Sequence, residues 1–152
     1  MTLRVDVQYA CARTGVPKKA AILEWARAAL EDVATNDIEL VVRIVGEDES
    51  AELNRRYRHK SGPTNVLSFC YADQANISAA PGLLGDIVIC APVVAREARL
   101  GGGDAAAHWA HMVVHGIMHL RGYDHIHERD AKIMEQMESR VVRRLGFADP
   151  YA

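Results

Sequence analysis

Leu3-Arg4-Val5-Asp6-Val7-Gln8-Tyr9 alternates apolar with polar residues, the period of a strand with one face buried. Pro17 then suits a helix's first turn. Ala21, Ile22, Trp25, Ala26, Ala29, Leu30 and Val33 come next at three- and four-residue steps, forming one apolar stripe on a helix. Residues 38–45 read as a second strand. A short helix is predicted over 48–57, with Asp48, Glu49 and Glu52 near its start and Arg55, Arg56 and Arg58 near its end, the charge order that suits the helix dipole. Residues 66–69 make a short strand and 84–90 a longer one, whose Ile87-Val88-Ile89 run predicts burial on both faces. Between them, 71–82 is aperiodic and polar, so a mobile surface loop is expected there.

Farther along, a brief helix over 92–100 is stopped by Gly101-Gly102-Gly103. Asp104 is placed to cap the next helix, which runs to about residue 121, and Gly122 can end it in a left-handed turn. A last helix is predicted over 128–145, with Ile133, Met134, Met137, Val141 and Leu145 as its apolar face. This order indicates an α+β fold, an open α/β sandwich in which a small mixed sheet of about four strands is covered by about five helices.

With 152 residues, 49% of them hydrophobic, the chain is sized for a single domain, 1–152, with a sizeable core. The N-terminal residues interleave charges with apolar residues rather than forming a signal's apolar run, and no apolar stretch nears the roughly 18 residues of a membrane span. A soluble, unexported, cytoplasmic protein without a membrane partner is expected. Cys11, Cys70 and Cys90 are odd in number, far apart and in no C-x-x-C arrangement, which argues against a disulfide framework or a thiolate zinc knuckle. A formal net charge of -2 gives no global attraction to nucleic acid, so polyanion binding must come from a local basic patch.

Five of the seven histidines fall between His108 and His125, a concentration that packing does not require. His115 and His119, four apart on the predicted helix, project from one face within reach of one ion. Gly122 lets the chain turn so that His125 can swing back and complete a three-nitrogen set, leaving a fourth tetrahedral position for water. One bound zinc ion per chain is therefore expected on His115, His119 and His125. The spacing H-x-x-x-H-x-x-G-x-x-H is that of the metzincin peptidases, whose motif also carries Glu directly after the first His. Here that position is Gly116, so the ligand pattern is present and the peptidase base is missing. His111, one turn before His115, could reach the metal too, but four histidines would close the site, so it reads as a core residue or a partner of a ligand. Asp124 can orient a ligand, act on bound water or cap the turn, and His127 is expected to face solvent.

Arg55-Arg56-Tyr57-Arg58-His59-Lys60 sets four cations and an aromatic within six residues, a density suited to gripping phosphates and stacking a base. A solvated helix end, with Glu52 and Arg56 paired four apart, explains the same run. An open metal position nearby moves the balance toward a phosphodiester substrate.

The stretch His108-Trp109-Ala110-His111-Met112-Val113-Val114-His115-Gly116, with His119-Leu120 and Gly122-Tyr123-Asp124-His125, resembles the signature of the YbeY family of bacterial ribosomal-RNA maturation endoribonucleases. Tyr57-Arg58, Pro63-Thr64-Asn65-Val66-Leu67-Ser68-Phe69, Gly85-Asp86-Ile87-Val88-Ile89-Cys90 and the ending Leu145-Gly146-Phe147 with Asp149-Pro150-Tyr151 are also similar to its pattern. The likeness departs at Cys70, where the family usually has proline, and at His59-Lys60-Ser61, where Gly-Lys-Asp is common.

The resemblance implies a zinc-dependent hydrolase of RNA phosphodiester bonds, with His115, His119 and His125 on the metal, and Arg58 and His115 as the catalytic residues. It implies single-strand-specific cleavage in 3′-end maturation of small-subunit (16S) ribosomal RNA and a part in ribosome quality control. By the same likeness the partners are single-stranded ribosomal RNA, the small ribosomal subunit, a small-subunit ribosomal protein and an Era-type GTPase. Two other readings stand beside it: a zinc peptidase or amidase with its base supplied from elsewhere, and a non-catalytic ribosome assembly factor whose zinc only stiffens the turn.

Overall fold

The computed structural model describes residues 2–33, 37–71 and 82–152. Its elements run β1 (Thr2–Ala10), α1 (Lys19–Ala29), β2 (Asp37–Val45), α2 (Glu47–Arg58), β3 (Val66–Cys70), β4 (Leu83–Cys90), α3 (Ala91–Gly101), α4 (Ala105–Leu120) and α5 (Glu128–Arg144). The four strands lie in the order β1-β2-β4-β3. β1, β2 and β4 are parallel, while β3 runs antiparallel to β4 with Val66 opposite Ile89 and Cys70 opposite Gly85. This is the mixed sheet that the element order implies.

The pleat sorts the side chains of each strand between two apolar layers. Ile87 and Ile89 enter the larger layer with Leu40, Val42, Ile44 and residues of α1, α4 and α5. Val88 and Cys90 point the other way, joining Val45, Leu67 and Val93, with Leu53 of α2 and Phe69 packed against them. Ile87-Val88-Ile89 is thus buried on both faces because β4 has a strand on either side and helices above and below. β1, at one edge, fully buries only Val5, and its Leu3, Val7 and Tyr9 stay half-buried against the same layer.

Three expectations shift. Pro17 precedes α1, which starts at Lys19, and Val33 lies beyond its end. Ile133 of α5 is 43% exposed, while Glu138 and Val142 join Met134 and Val141 on the buried side. The reason is geometric: the four buried residues share one face of α5, and Ile133 is turned about 100° from Met134 by the helical step. The expected loop between β3 and β4 falls, at 72–81, outside the described residues.

α4 positions the site. It buries Trp109, Ala110, Met112, Val113, Val114, Gly116, Ile117, Met118 and Leu120, so beyond its first three residues the incompletely buried stripe is His108, His111, His115 and His119. Its start is capped by Asp104, whose Oδ1 accepts the Ala106 N–H at 3.0 Å. At its far end, Arg121 donates to the Ala29 carbonyl of α1 at 2.8 Å. Gly116 explains how closely the helix approaches the sheet, since a Cβ there would stand 2.8 Å from Cγ2 of the buried Ile87. Ser68 of β3 adds a hydroxyl bond to the Gly116 carbonyl at 3.1 Å, tying the edge strand to the helix.

Candidate metal centre

The turn after α4 brings the third histidine back. Gly122 N–H bonds to the His119 carbonyl and Tyr123 N–H to the Met118 carbonyl, both at 3.0 Å, the paired bonds of a Schellman ending. Gly122 has φ +99, a value that glycine reaches without the clash of a Cβ. Asp124 then accepts the Ile126 N–H at 2.8 Å, capping the turn, and it also lines the cleft onto which the histidines open. His127 is exposed.

His115, His119 and His125 consequently meet. Ring centroids are 4.7 Å apart for His115 and His119, 4.9 Å for His119 and His125, and 5.7 Å for His115 and His125. One ligating atom from each lies within 4.8 Å of the other two. Zinc bonds imidazole nitrogen at about 2.0–2.1 Å and accepts three protein nitrogens with a fourth position open, so the donor set fits that ion. His119 has the protonation such a ligand needs: burial first, then the neighbouring His115 and His125, pull its pKa from 6.5 to about 4. It is neutral near pH 7.

A second cluster lies behind the first. Glu138 of α5 is 1% exposed, and its Oε1 stands 2.8 Å from His111 Nε2, 2.9 Å from His115 Nδ1 and 3.1 Å from the Tyr151 hydroxyl. Burial alone would raise its pKa, but the contacts to His111 and His115 prevail and hold the carboxyl at about 2. His111, His115 and Glu138 are themselves close enough to hold an ion. His115 Nδ1, however, is engaged by Glu138, which leaves Nε2 as its nitrogen for the three-histidine set. His108, at the start of the stripe, is instead 2.8 Å from Glu97.

The three rings open on a cleft of about 850 Å³. Its other walls are Tyr57 and Arg58 at the end of α2, the edge strand β3, and the turn with Tyr123 and Asp124. The basic run divides at this point. Arg55 and Arg56 approach Glu52 at 2.8 and 3.7 Å, whereas Arg58 has no carboxylate partner among the described residues and lines the cleft. Tyr57, 55% exposed, rests edge-on against Phe69 with centroids 5.1 Å apart.

A family model described as Endoribonuclease YbeY matches residues 9–146. The chain belongs to the YbeY family. Curated members similar to it, each named Endoribonuclease YbeY, include one from Nitrosococcus oceani, 47% identical over 99% of this chain and 98% of that protein. Another, from Methylococcus capsulatus, is 54% identical over 91% of this chain and 89% of its own length. Among solved structures, the solution structure of TM1509 from Thermotoga maritima superposes with a TM-score of 0.59 at 27% identity, covering 95% of this chain and 89% of that one.

Within this YbeY-family chain the sequence left two partners of the site unseen, Glu138 and Tyr151. The one available signal for Glu138 was a carboxylate four residues after Met134 and three before Val141, on the buried stripe of α5. Tyr151 belongs to the family-like ending, but no local rule links it to the histidines, which it reaches because the chain doubles back after Gly146.

Proposed function

We propose that the chain is a zinc-dependent endoribonuclease specific for single strands, acting as one domain, 1–152. In this reading it matures the 3′ end of small-subunit ribosomal RNA and serves ribosome quality control. His115, His119 and His125 hold one zinc ion, and Arg58 and His115 are the catalytic residues. The observation that carries the reading is the shared cleft, which sets the three rings and Arg58 around one space. The name of the curated relatives, Endoribonuclease YbeY, supplies the substrate class.

When bound, zinc supplies Lewis acidity, lowering the pKa of a water ligand or polarising a phosphoryl oxygen. The chain's own residues do the rest. Arg58 offsets the charge that builds on the phosphate in the transition state. Tyr57, braced by Phe69, presents a face on which an unpaired base can stack, a contact that a duplex with its bases inside denies. Small-subunit ribosomal RNA, the small subunit with one of its proteins, and an Era-type GTPase are the partners of this reading.

The peptidase alternative asks for a carboxylate at position 116. Gly116 faces Ile87 of the sheet, so a side chain there meets the core instead of the cleft. The test is incubation of the purified protein with single-stranded RNA, duplex RNA and unstructured peptide, with and without chelator. Chelator-sensitive cleavage of single-stranded RNA is expected, with weaker action on duplex and none on peptide. His115→Ala, purified in parallel, is the control: RNA cleavage as fast as the parent's would end the nuclease reading and favour the assembly factor.

A further inference from the structure

Glu138 is an expensive residue to place where it is. A carboxylate at 1% exposure loses its hydration and must recover it from protein donors. Here the donors are specific: His111 Nε2, His115 Nδ1 and the Tyr151 hydroxyl all converge on the single atom Oε1. An oxygen surrounded by three donor-capable groups is an acceptor, so the proton between Glu138 and His115 sits on Nδ1. A neutral imidazole with its proton on Nδ1 has its lone pair on Nε2, the atom left to face His119 and His125.

The rest of the chain is arranged to keep this contact. α5 ends at Arg144, and Gly146, φ +94, turns the chain just past it, with Phe147 N–H bonded to the Val142 carbonyl at 3.2 Å, so that the tail folds back along the helix. Asp149 anchors it by accepting from Ser139 Oγ at 2.6 Å and from Tyr151 N–H at 2.9 Å. That places the Tyr151 hydroxyl on Glu138. A line of hydrogen bonds thus runs from the tail through a buried carboxylate to one histidine of the candidate metal centre.

We propose that Glu138 is the positioning residue of that centre: it locks His115 as the Nδ1–H tautomer, orients the ring with Nε2 toward His119 and His125, and makes that nitrogen a better donor. Tyr151 assists by helping to hold the carboxylate in place. This rests on the reading of the three histidines as metal ligands. Removing a carboxylate behind a ligating histidine typically costs about 10- to 100-fold in metal affinity.

The test has two readouts on the intact chain. In metal-free parent protein at mildly alkaline pH, long-range nitrogen–proton NMR correlations are expected to show His115 as Nδ1–H. Glu138→Gln is expected to lose that single tautomer, because the amide can present either a donor or an acceptor, and to bind zinc about 10- to 100-fold more weakly in competition with a chelator. Tyr151→Phe keeps the carboxylate, so the tautomer is expected to persist. An Nε2–H tautomer in the parent, or a folded Glu138→Gln with parental zinc affinity, would overturn the proposal. If Glu138→Gln fails to fold, the parent's tautomer decides alone. If the parent binds no zinc yet shows Nδ1–H, the metal reading fails while the tautomer assignment to Glu138 stands.

Discussion

Two clusters face the same cleft, and they are held in different ways. From His115 to His125 each ring is placed by backbone: one helical turn sets the first pair, the Gly122 ending returns the chain, and Asp124 caps the turn that carries His125. At the end of α2, the cations of Arg55 to Lys60 hang on long side chains from a solvent-exposed terminus, and acidic Glu52 takes up two of them. Only Arg58 and Tyr57 of that run line the cleft. Spacing therefore carries three-dimensional information where the backbone is hydrogen-bonded into a set shape, and little where flexible side chains choose between a neighbour and a ligand.

The contrast breaks most sharply at Arg58. If that one cation serves the reaction and the others serve the helix end, Arg58→Ala should lower the cleavage rate constant by about 10²–10³. RNA affinity should change by less than about threefold, which separates transition-state from ground-state contacts. Single-turnover kinetics beside a binding titration would show it, and equal losses in rate and affinity would make Arg58 a binding contact only.

Gly116 tests the backbone half. A methyl group added 2.8 Å from Cγ2 of a fully buried, β-branched Ile87 must push α4 from the sheet, so Gly116→Ala is expected to cost about 1–3 kcal/mol in denaturant unfolding. Gly116→Glu should cost more and yield no peptide cleavage. Unchanged stability in the alanine variant would mean that α4 is free to shift, and that the histidines are less rigidly placed than the geometry implies.

A pH titration of the metal-free protein sharpens the same half. His119 is expected to remain neutral until about pH 4, its proton disfavoured first by burial and then by His115 and His125. Because the unfolded chain takes up that proton from about pH 6.5 downward and the folded chain does not, stability from this group falls as pH drops from about 6.5 to 4. Above that window it contributes nothing pH-dependent. A His119 NMR midpoint near 6.5 would contradict the burial assigned to it.

The smallest effect belongs to Lys60, which is exposed and does not line the cleft. Lys60→Ala should alter cleavage by less than about twofold and the salt dependence of RNA binding by at most about one counterion. A loss approaching that of Arg58→Ala would erase the distinction drawn within the basic run.

These differences also explain how much is legible in the sequence. The strand periods, the Asp104 cap and the Gly122 ending are local, so the mixed four-stranded sheet with five helices, and the meeting of His115, His119 and His125, can be read from spacing. Glu138 and Tyr151 are 23 and 40 residues from the histidines they approach, and no local rule brings α5 and the tail to α4. Ile133 leaves the buried stripe because the face that packs is the one shared by Met134, Glu138, Val141 and Val142, and which face packs is a tertiary matter. Spacing alone does not tell Arg58 from Arg55 or Arg56; the family resemblance singles it out, and the fold adds that Glu52 engages the other two.

The central claim is that three histidines, one of them returned by the Gly122 turn, hold a single zinc ion on which RNA cleavage depends. Elemental analysis and single-stranded RNA cleavage, performed on the same preparations of parent, His115→Ala, His119→Ala and His125→Ala, test it most directly. About one zinc per chain in the parent and a parallel collapse of zinc content and cleavage in all three variants is the expected result. A parent with less than a few tenths of an equivalent after metal-replete expression, or a His125→Ala protein that keeps both its zinc and its activity, would contradict it.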